Sequence, residues 1–253
     1  MQNVFITGAS SGIGAALALQ YAQQGACLGL VARRADLLET LRLNLPNPER
    51  HHLYVVDVTD HVALEQAARS FISSTGGAQI VIANAGISRG TLTEYSEDLP
   101  VFEKVIATNL LAMVVTFAPF IESMKAQGAP CRLVGIASVA GMRGLPGAEA
   151  YSASKAAVIS YCESLRLELR RTQIKVVTLC PGYIDSPMTR VNAYRMPFLM
   201  PAEKFARLAQ AAIGRGDSFR VLPWQMGWVA RVLRILPNWL YDLLFANAPR
   251  KGR

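Results

Sequence analysis

The chain has 253 residues, 51% of them hydrophobic and 17% charged, with a net charge of +8. Such a balance excludes a disordered, collagenous or disulfide-framework protein, and the length suffices for one full core. Cys27, Cys131, Cys162 and Cys180 stand far apart with no CxxC pair, in or beside apolar runs, which reads as buried free thiols. His51, His52 and His61 share no ligand spacing, so they are expected at the surface or a strand edge and no metal is expected. No basic-then-apolar leader precedes the apolar run at Val4, and the expectation is a cytoplasmic protein.

In chain order, Val4-Phe5-Ile6 reads as a buried strand, and Thr7-Gly8-Ala9-Ser10-Ser11-Gly12-Ile13-Gly14 follows it. Ile13, Leu17 and Tyr21 then recur at spacings of four, the mark of a helix. A glycine-rich turn in that position suits a nucleotide diphosphate. One glycine permits the tight turn, one lets the backbone approach the pyrophosphate, and one lets the helix pack on the strand. The free N–H groups and positive dipole end of the helix favour the phosphate charge.

Further strand-like runs centre on 28–31, 53–56, 80–83, 133–137, 176–179 and 219–222, most of them separated by helical periodicities. This alternation predicts an α/β fold: a Rossmann-type doubly wound parallel sheet of about seven strands flanked by helices. With no repeat, linker or low-complexity stretch, residues 1–253 are expected to form a single domain, and Gly141–Gly147 reads as a loop beside the fifth strand.

The second strand ends in Ala32-Arg33-Arg34, with no acid before Asp36. A carboxylate there would select NAD, whereas a cation selects the extra phosphate of NADP, so NADP(H) is favoured over NAD(H). Arg33 is the first candidate because a guanidinium grips phosphate with paired hydrogen bonds; Arg34 is expected to stack on adenine or face water. Ser11 could add a hydroxyl.

Ser138 ends the fifth strand run, and Tyr151-Ser152-Ala153-Ser154-Lys155 comes thirteen residues later. Residues four apart share a helix face, so the Tyr151 hydroxyl and the Lys155 ammonium can enter one cleft. A phenol of pKa ~10 is a poor acid-base group at neutral pH, and a cation beside it would lower that value. Lys155 is expected to supply the cation.

At this point the chain resembles the short-chain dehydrogenase/reductase family, in its short single-domain branch, over about residues 2–189. TGASSGIG at 7–14 is similar to the TGxxxGxG cofactor turn, and Asn84-Ala85-Gly86 to the end of the NNAG element, with Ala83 in place of the first asparagine. Asn109, Ser138, Tyr151 and Lys155 match the catalytic tetrad. Pro181-Gly182 opens a stretch similar to PGxxxT, with Ser186 at the threonine position.

The resemblance implies that Ser138 binds the substrate oxygen and Tyr151 gives or takes its proton. Lys155 would tune Tyr151 and hold the nicotinamide ribose, and Asn109 would place a water linking Lys155 to solvent. The cofactor set it implies is Gly8, Ser10, Ser11, Gly12, Ile13, Gly14, Arg33, Arg34, Asp57, Val58, Asn84, Ala85, Gly86, Tyr151, Lys155, Pro181, Gly182, Ile184 and Ser186. Asp57 resembles the family aspartate near the adenine. The span 187–215, with Met188, Tyr194, Met196, Phe198, Leu199 and Met200, would be a mobile cover suited to a lipophilic ketone or alcohol. Rival readings are a non-catalytic nucleotide-binding sensor or scaffold with the same fold, and an SxxK acyl-transfer enzyme; the latter lacks the accompanying SDN and KTG elements.

Residues 191–253 hold ten Lys+Arg against three Asp+Glu, which is +7 of the total +8, and all three tryptophans lie there. In the segment 224–247, Trp224, Trp228, Val232 and Ile235 fall near one apolar helical face, flanked by Arg231 and Arg234. Pro237 should break the segment into two amphipathic helices rather than a span. Residues 224–245 would suit an interfacial hairpin on an anionic bilayer, similar to apolar C-terminal helices of membrane-associated family members. The rivals are a homo-oligomer contact and a flap on the protein's own cleft. Nucleic acid is not expected, because the aromatics follow an apolar face instead of alternating with cations.

Overall fold

The alternation becomes a sheet in the computed structural model, which describes residues 2–248, 250 and 252. The strands are β1 (Asn3–Thr7), β2 (Cys27–Ala32), β3 (His52–Val55), β4 (Ile80–Ala83), β5 (Cys131–Ile136), β6 (Ile174–Pro181), the short pair β7 (Ile184–Asp185) and β8 (Met200–Pro201), and β9 (Phe219–Leu222). Seven of these form one parallel sheet in the order β3-β2-β1-β4-β5-β6-β9, while β7 and β8 pair separately. This is the Rossmann-type doubly wound arrangement. The β7–β8 pair is invisible in the sequence because two residues carry no period.

The helices are α1 (Gly12–Ala22), α2 (Ala35–Leu43), α3 (His61–Thr75), α4 (Leu99–Ile106), α5 (Ala112–Ala126), α6 (Glu149–Glu168), α7 (Pro187–Arg190), α8 (Ala202–Arg215), α9 (Trp224–Ile235) and α10 (Asn238–Phe245). Side chains alternate across a strand, and β1 feeds both layers accordingly. Val4 and Ile6 join Leu17, Tyr21, Phe205 and Ile213 on the α1–α8 side. Phe5 joins Phe71, Phe117 and Phe120 on the α3–α5–α6 side. Its ring centroid lies 5.0 Å from that of Phe120 and 5.5 Å from that of Phe71, and burying a ring of this size contributes about 1.5–3 kcal/mol. The helical stretch 96–126 is long and apolar enough by composition to cross a membrane, yet its Met113, Phe117, Phe120 and Met124 are buried in this layer.

All four cysteines are buried and free. His51 corrects an expectation: it is 7% exposed, its Nε2 lies 3.0 Å from the Pro46 carbonyl, and burial pushes its pKa below the usual value. The expected cover 187–215 also divides. Its first part, α7 and the following loop, borders the cleft beyond β6. Its second part, α8, is core: Phe205, Ala206, Ala209, Ala212 and Ile213 form a buried stripe at helical spacing. Gln210 Oε1 accepts from Gln20 at 3.1 Å and from Gln24 at 3.0 Å, tying α8 to α1.

Pro237 separates α9 from α10 as the sequence suggests, and α10 ends at Phe245. The pair docks on the loop between Ser138 and Tyr151. Arg143 donates to the Leu233 carbonyl at 2.7 Å, the Leu236 carbonyl at 2.6 Å and Asn238 Oδ1 at 2.9 Å, and its guanidinium lies 4.1 Å from the centroid of the Tyr241 ring. It thereby satisfies carbonyls that the end of α9 leaves without intrahelical partners. Arg234 adds a 3.1 Å bond to the Met142 carbonyl.

Candidate active site

The strand order reverses at β1, whose neighbours are β2 and β4. Loops leaving the two strands diverge there and open a crevice at the carboxyl ends of the sheet. A cavity of about 550 Å³ fills it, running from Arg33, Arg34 and Asp57 past the glycine turn to Ser138, Tyr151 and Lys155. Gly8, Ser10, Ser11, Gly12, Ile13, Val58, Asn84, Ala85, Gly86, Pro181, Gly182, Ile184 and Ser186 line it too. Gly14 and Asn109 do not line it; they brace it from behind.

The glycine turn is shaped by steric necessity. Gly8 has φ +67°, and a Cβ there would stand 2.8 Å from Ala85 Cα; Gly12 has φ +55° and faces Ser186 Cβ. Gly14 packs on the Gly8 carbonyl, with Asn84 Nδ2 close by. Asn84 Nδ2 donates to the carbonyls of Thr7 (3.0 Å) and Gly8 (3.1 Å). Thr7 Oγ1, to which the sequence assigns no role, accepts from the backbone N–H groups of Asn84 at 3.1 Å and Ala85 at 3.2 Å. The first and fourth strand ends are thus stitched together beneath the crevice.

The two arginines stand at the far end of the cavity. Arg34, exposed to solvent, lies across the glycine turn, donating to Ser10 Oγ at 3.2 Å and Ser11 Oγ at 3.1 Å. Arg33 is more than half exposed and lies 3.5 Å from the Asp57 carboxylate. Asp57 Oδ1 accepts from the Thr59 N–H at 3.0 Å and hydroxyl at 2.8 Å. Burial alone would raise the Asp57 pKa, but these bonds and the Arg33 cation hold it below its usual value.

At the other end, Ser138 Oγ accepts from the Ala140 N–H at 3.1 Å and hydrogen-bonds Tyr151. Lys155 is buried, donates from Nζ to the Ile136 carbonyl at 2.8 Å, and lies 5.8 Å from the Tyr151 ring centroid. Burial drives Lys155 from its usual 10.5 down to about 8. The Tyr151 phenol moves up, because burial outweighs the Ser138 hydrogen bond. The net direction for Tyr151 is thus upward, where the sequence led to the expectation of a lowered value, and Lys155 Nζ is engaged with the Ile136 carbonyl.

Asn109 sits in a π-helical turn, 107–111, between α4 and α5 and is fully buried. Its Oδ1 accepts from the Ile87 N–H at 2.8 Å, and its Nδ2 donates to the Ile87 carbonyl at 3.0 Å and to Ser154 Oγ at 3.0 Å. Ser154 in turn donates to the Tyr151 carbonyl at 2.8 Å. Both amide hydrogens are committed, so only an Oδ1 lone pair remains for any water. Asn109 braces the loop after β4 against α6, a role that Ser154 shares and that its place inside YxxxK does not announce.

A nicotinamide dinucleotide suits these residues. The glycines leave no room for side chains where the helix α1 begins, cations mark one end of a cavity of the right extent, and hydroxyl and ammonium groups mark the other.

Comparison with known proteins agrees. Residues 2–195 match the family model for short chain dehydrogenases, and the chain belongs to that family. It is an oxidoreductase with an NAD(P)-binding Rossmann fold. An uncharacterized oxidoreductase of Myxococcus xanthus is 36% identical over 95% of each chain. The 11-beta-hydroxysteroid dehydrogenase-like 2 protein of Arabidopsis thaliana is 30% identical over 96% of this chain and 82% of its own. Among solved structures, 3-ketoacyl-(acyl-carrier-protein) reductase from Brucella melitensis complexed with NADH aligns with TM-score 0.78 at 23% identity, over 87% of this chain and 96% of that one. A single-site variant of actinorhodin polyketide ketoreductase with NADPH aligns with the same TM-score of 0.78, at 25% identity over 87% of this chain and 95% of that one.

The buried lysine gives a direct check. Lys155 should be charged below about pH 8 and neutral above it, against ~10.4 for a lysine side chain in a model peptide. Heteronuclear NMR of the lysine side chains should show one signal titrating near the lower value and missing from Lys155→Met. Titration of every lysine at the ordinary value would contradict this geometry.

Proposed function

We propose that the protein is an NADP(H)-dependent oxidoreductase that interconverts a carbonyl and an alcohol, with a lipophilic substrate. The observation that carries this reading is the convergence of Ser138, Tyr151 and Lys155 at one end of a cavity whose other end presents Arg33 and Arg34. When bound, the dinucleotide supplies the hydride that the side chains cannot.

The chain's own residues hold and move the proton. With its oxygen engaged by the Ala140 N–H, Ser138 has one hydroxyl hydrogen, which meets Tyr151 here and would turn to the oxygen of a bound substrate. Tyr151, a neutral phenol at physiological pH, can give its proton to that oxygen as negative charge develops. Lys155, still mostly protonated at pH 7, stabilises the resulting phenolate and offers hydrogens to a ribose. Arg33 and Arg34 would hold a 2′-phosphate, with Ser10 and Ser11 already oriented by Arg34.

Support for a lipophilic substrate comes from the segment after Ser186, where Met188, Val191, Phe198 and Leu199 expose apolar surface. The name of the Arabidopsis relative points to a steroid-like class. In location, the reading is a cytoplasmic homo-oligomer in peripheral contact with a membrane through 224–245, where Trp224, Trp228 and Trp239 are exposed.

Two outcomes are expected. Tyr151→Phe should bind NADPH normally yet turn over roughly 100-fold to 10,000-fold more slowly, the usual cost of losing a general acid; a near-normal rate on the best carbonyl substrate would refute the assignment. Arg33→Ala should weaken NADPH binding by about 1.5–3 kcal/mol and leave NADH binding unchanged. Equal wild-type affinities in a fluorescence titration would remove the NADP preference.

A further inference from the structure

The two C-terminal helices turn their apolar side outward. Trp224, Trp228, Val232 and Ile235 of α9 are 50–80% exposed, and Trp239 and Leu243 of α10 about 70%. Met226, Ala230 and Tyr241 are the buried side. Arg143 fixes this orientation by binding the end of α9 and the start of α10 together on the 141–147 loop. An exposed apolar surface of this kind marks a partner.

Charge identifies that partner. Nearly all of the chain's net positive charge lies in 191–253. Beside α9, between it, α8 and β9, is a second cavity of about 510 Å³ lined by Leu208, Phe219, Trp224 and Trp228 with Arg231 and Arg234. Its other cations, Arg215 and Arg220, both pair with Asp217 at 2.8 and 2.6 Å. Arg231 and Arg234 pair with no carboxylate among the described residues; Arg231 lies 5.3 Å from the Trp228 ring centroid and Arg234 holds the Met142 carbonyl.

A second copy of the chain complements this surface poorly. A two-fold contact sets the same patch against itself, and the two helices carry two arginines against one acid, Asp242. Helices of 12 and 8 residues also reach only about 18 and 12 Å, well short of the ~30 Å hydrocarbon core. They can lie in an interface, where tryptophan is favoured, but cannot cross it.

We infer that α9, α10 and the adjoining groove form a docking surface for an anionic phospholipid bilayer, with the tryptophans and aliphatic side chains entering the acyl boundary and Arg231 and Arg234 meeting the lipid phosphates. This rests on the membrane-contact part of the reading above and is independent of its redox part.

Vesicle co-sedimentation tests it, using pure phosphatidylcholine or a mixture rich in phosphatidylglycerol, with the full chain at low and physiological salt. The wild type should partition strongly onto the anionic vesicles only, with its tryptophan emission shifted to the blue. An Arg231→Gln, Arg234→Gln double variant should lose roughly 25-fold in affinity, at about fivefold per cation. Trp224→Ser, Trp228→Ser should lose the salt-resistant part of the binding. Both variants should keep wild-type NADPH oxidation, which shows that they fold.

Equal partitioning onto both vesicle types would overturn the anionic inference and leave the membrane contact standing. Failure to bind either would overturn both. Displacement by inorganic phosphate with no blue shift would make the groove a phosphate site, and dissociation of a lipid-free oligomer by the tryptophan variant would assign the face to a second copy. Either result overturns the proposal.

Discussion

The reversal of strand order at β1 is the constraint on which the rest of the molecule depends. Because β2 and β4 flank the same strand, the chain must leave the carboxyl edge of the sheet in two directions, and a crevice opens between the departing loops. Closure of the backbone under that crevice falls to small groups. Thr7 Oγ1 holds two backbone N–H groups of the β4 loop, Asn84 returns the bond to the glycine turn, and Gly8 and Gly14 fit only because they lack side chains. The helix α1 can then begin where its free N–H groups face the cavity.

The opposite wall is governed by desolvation. Lys155 is buried with the Ile136 carbonyl as its hydrogen-bond acceptor, and burial costs it proton affinity and leaves it near the border between charged and neutral at physiological pH. Tyr151, buried as well, keeps its proton. Phenol and ammonium therefore meet the cavity at the same end, both largely withdrawn from water. Asn109 and Ser154 hold the backbone around Tyr151 through a chain of hydrogen bonds from Ile87, so the loop after β4 and the helix α6 position one another.

Much of this was legible in the residues. The seven sheet strands follow from apolar runs of strand length, and the glycine turn, the arginines after β2 and the YxxxK spacing all fall on one cavity. What remained hidden has physical reasons. Helix α8 reads like part of a cover because it follows a loop rich in methionine, although its Phe205–Ala209–Ile213 stripe faces the core. The π-helical turn around Asn109 has no period of its own, and the electrostatics of Lys155 depend on a carbonyl nineteen residues away. Arg143, which pins the C-terminal helices on the loop between Ser138 and Tyr151, is one arginine among many until the carbonyls at the end of α9 are seen around it.

Hydride transfer across the cavity is the central claim, and isotope tracing tests it most directly. With NADPH deuterated at the transferable C4 position and a panel of lipophilic ketones, mass spectrometry should find one deuterium on the carbinol carbon of the product alcohol and none on its oxygen after exchange into ordinary water. Tight binding of NADPH with no deuterium passed to any carbonyl in the panel would contradict the account and leave a nucleotide-binding sensor in its place.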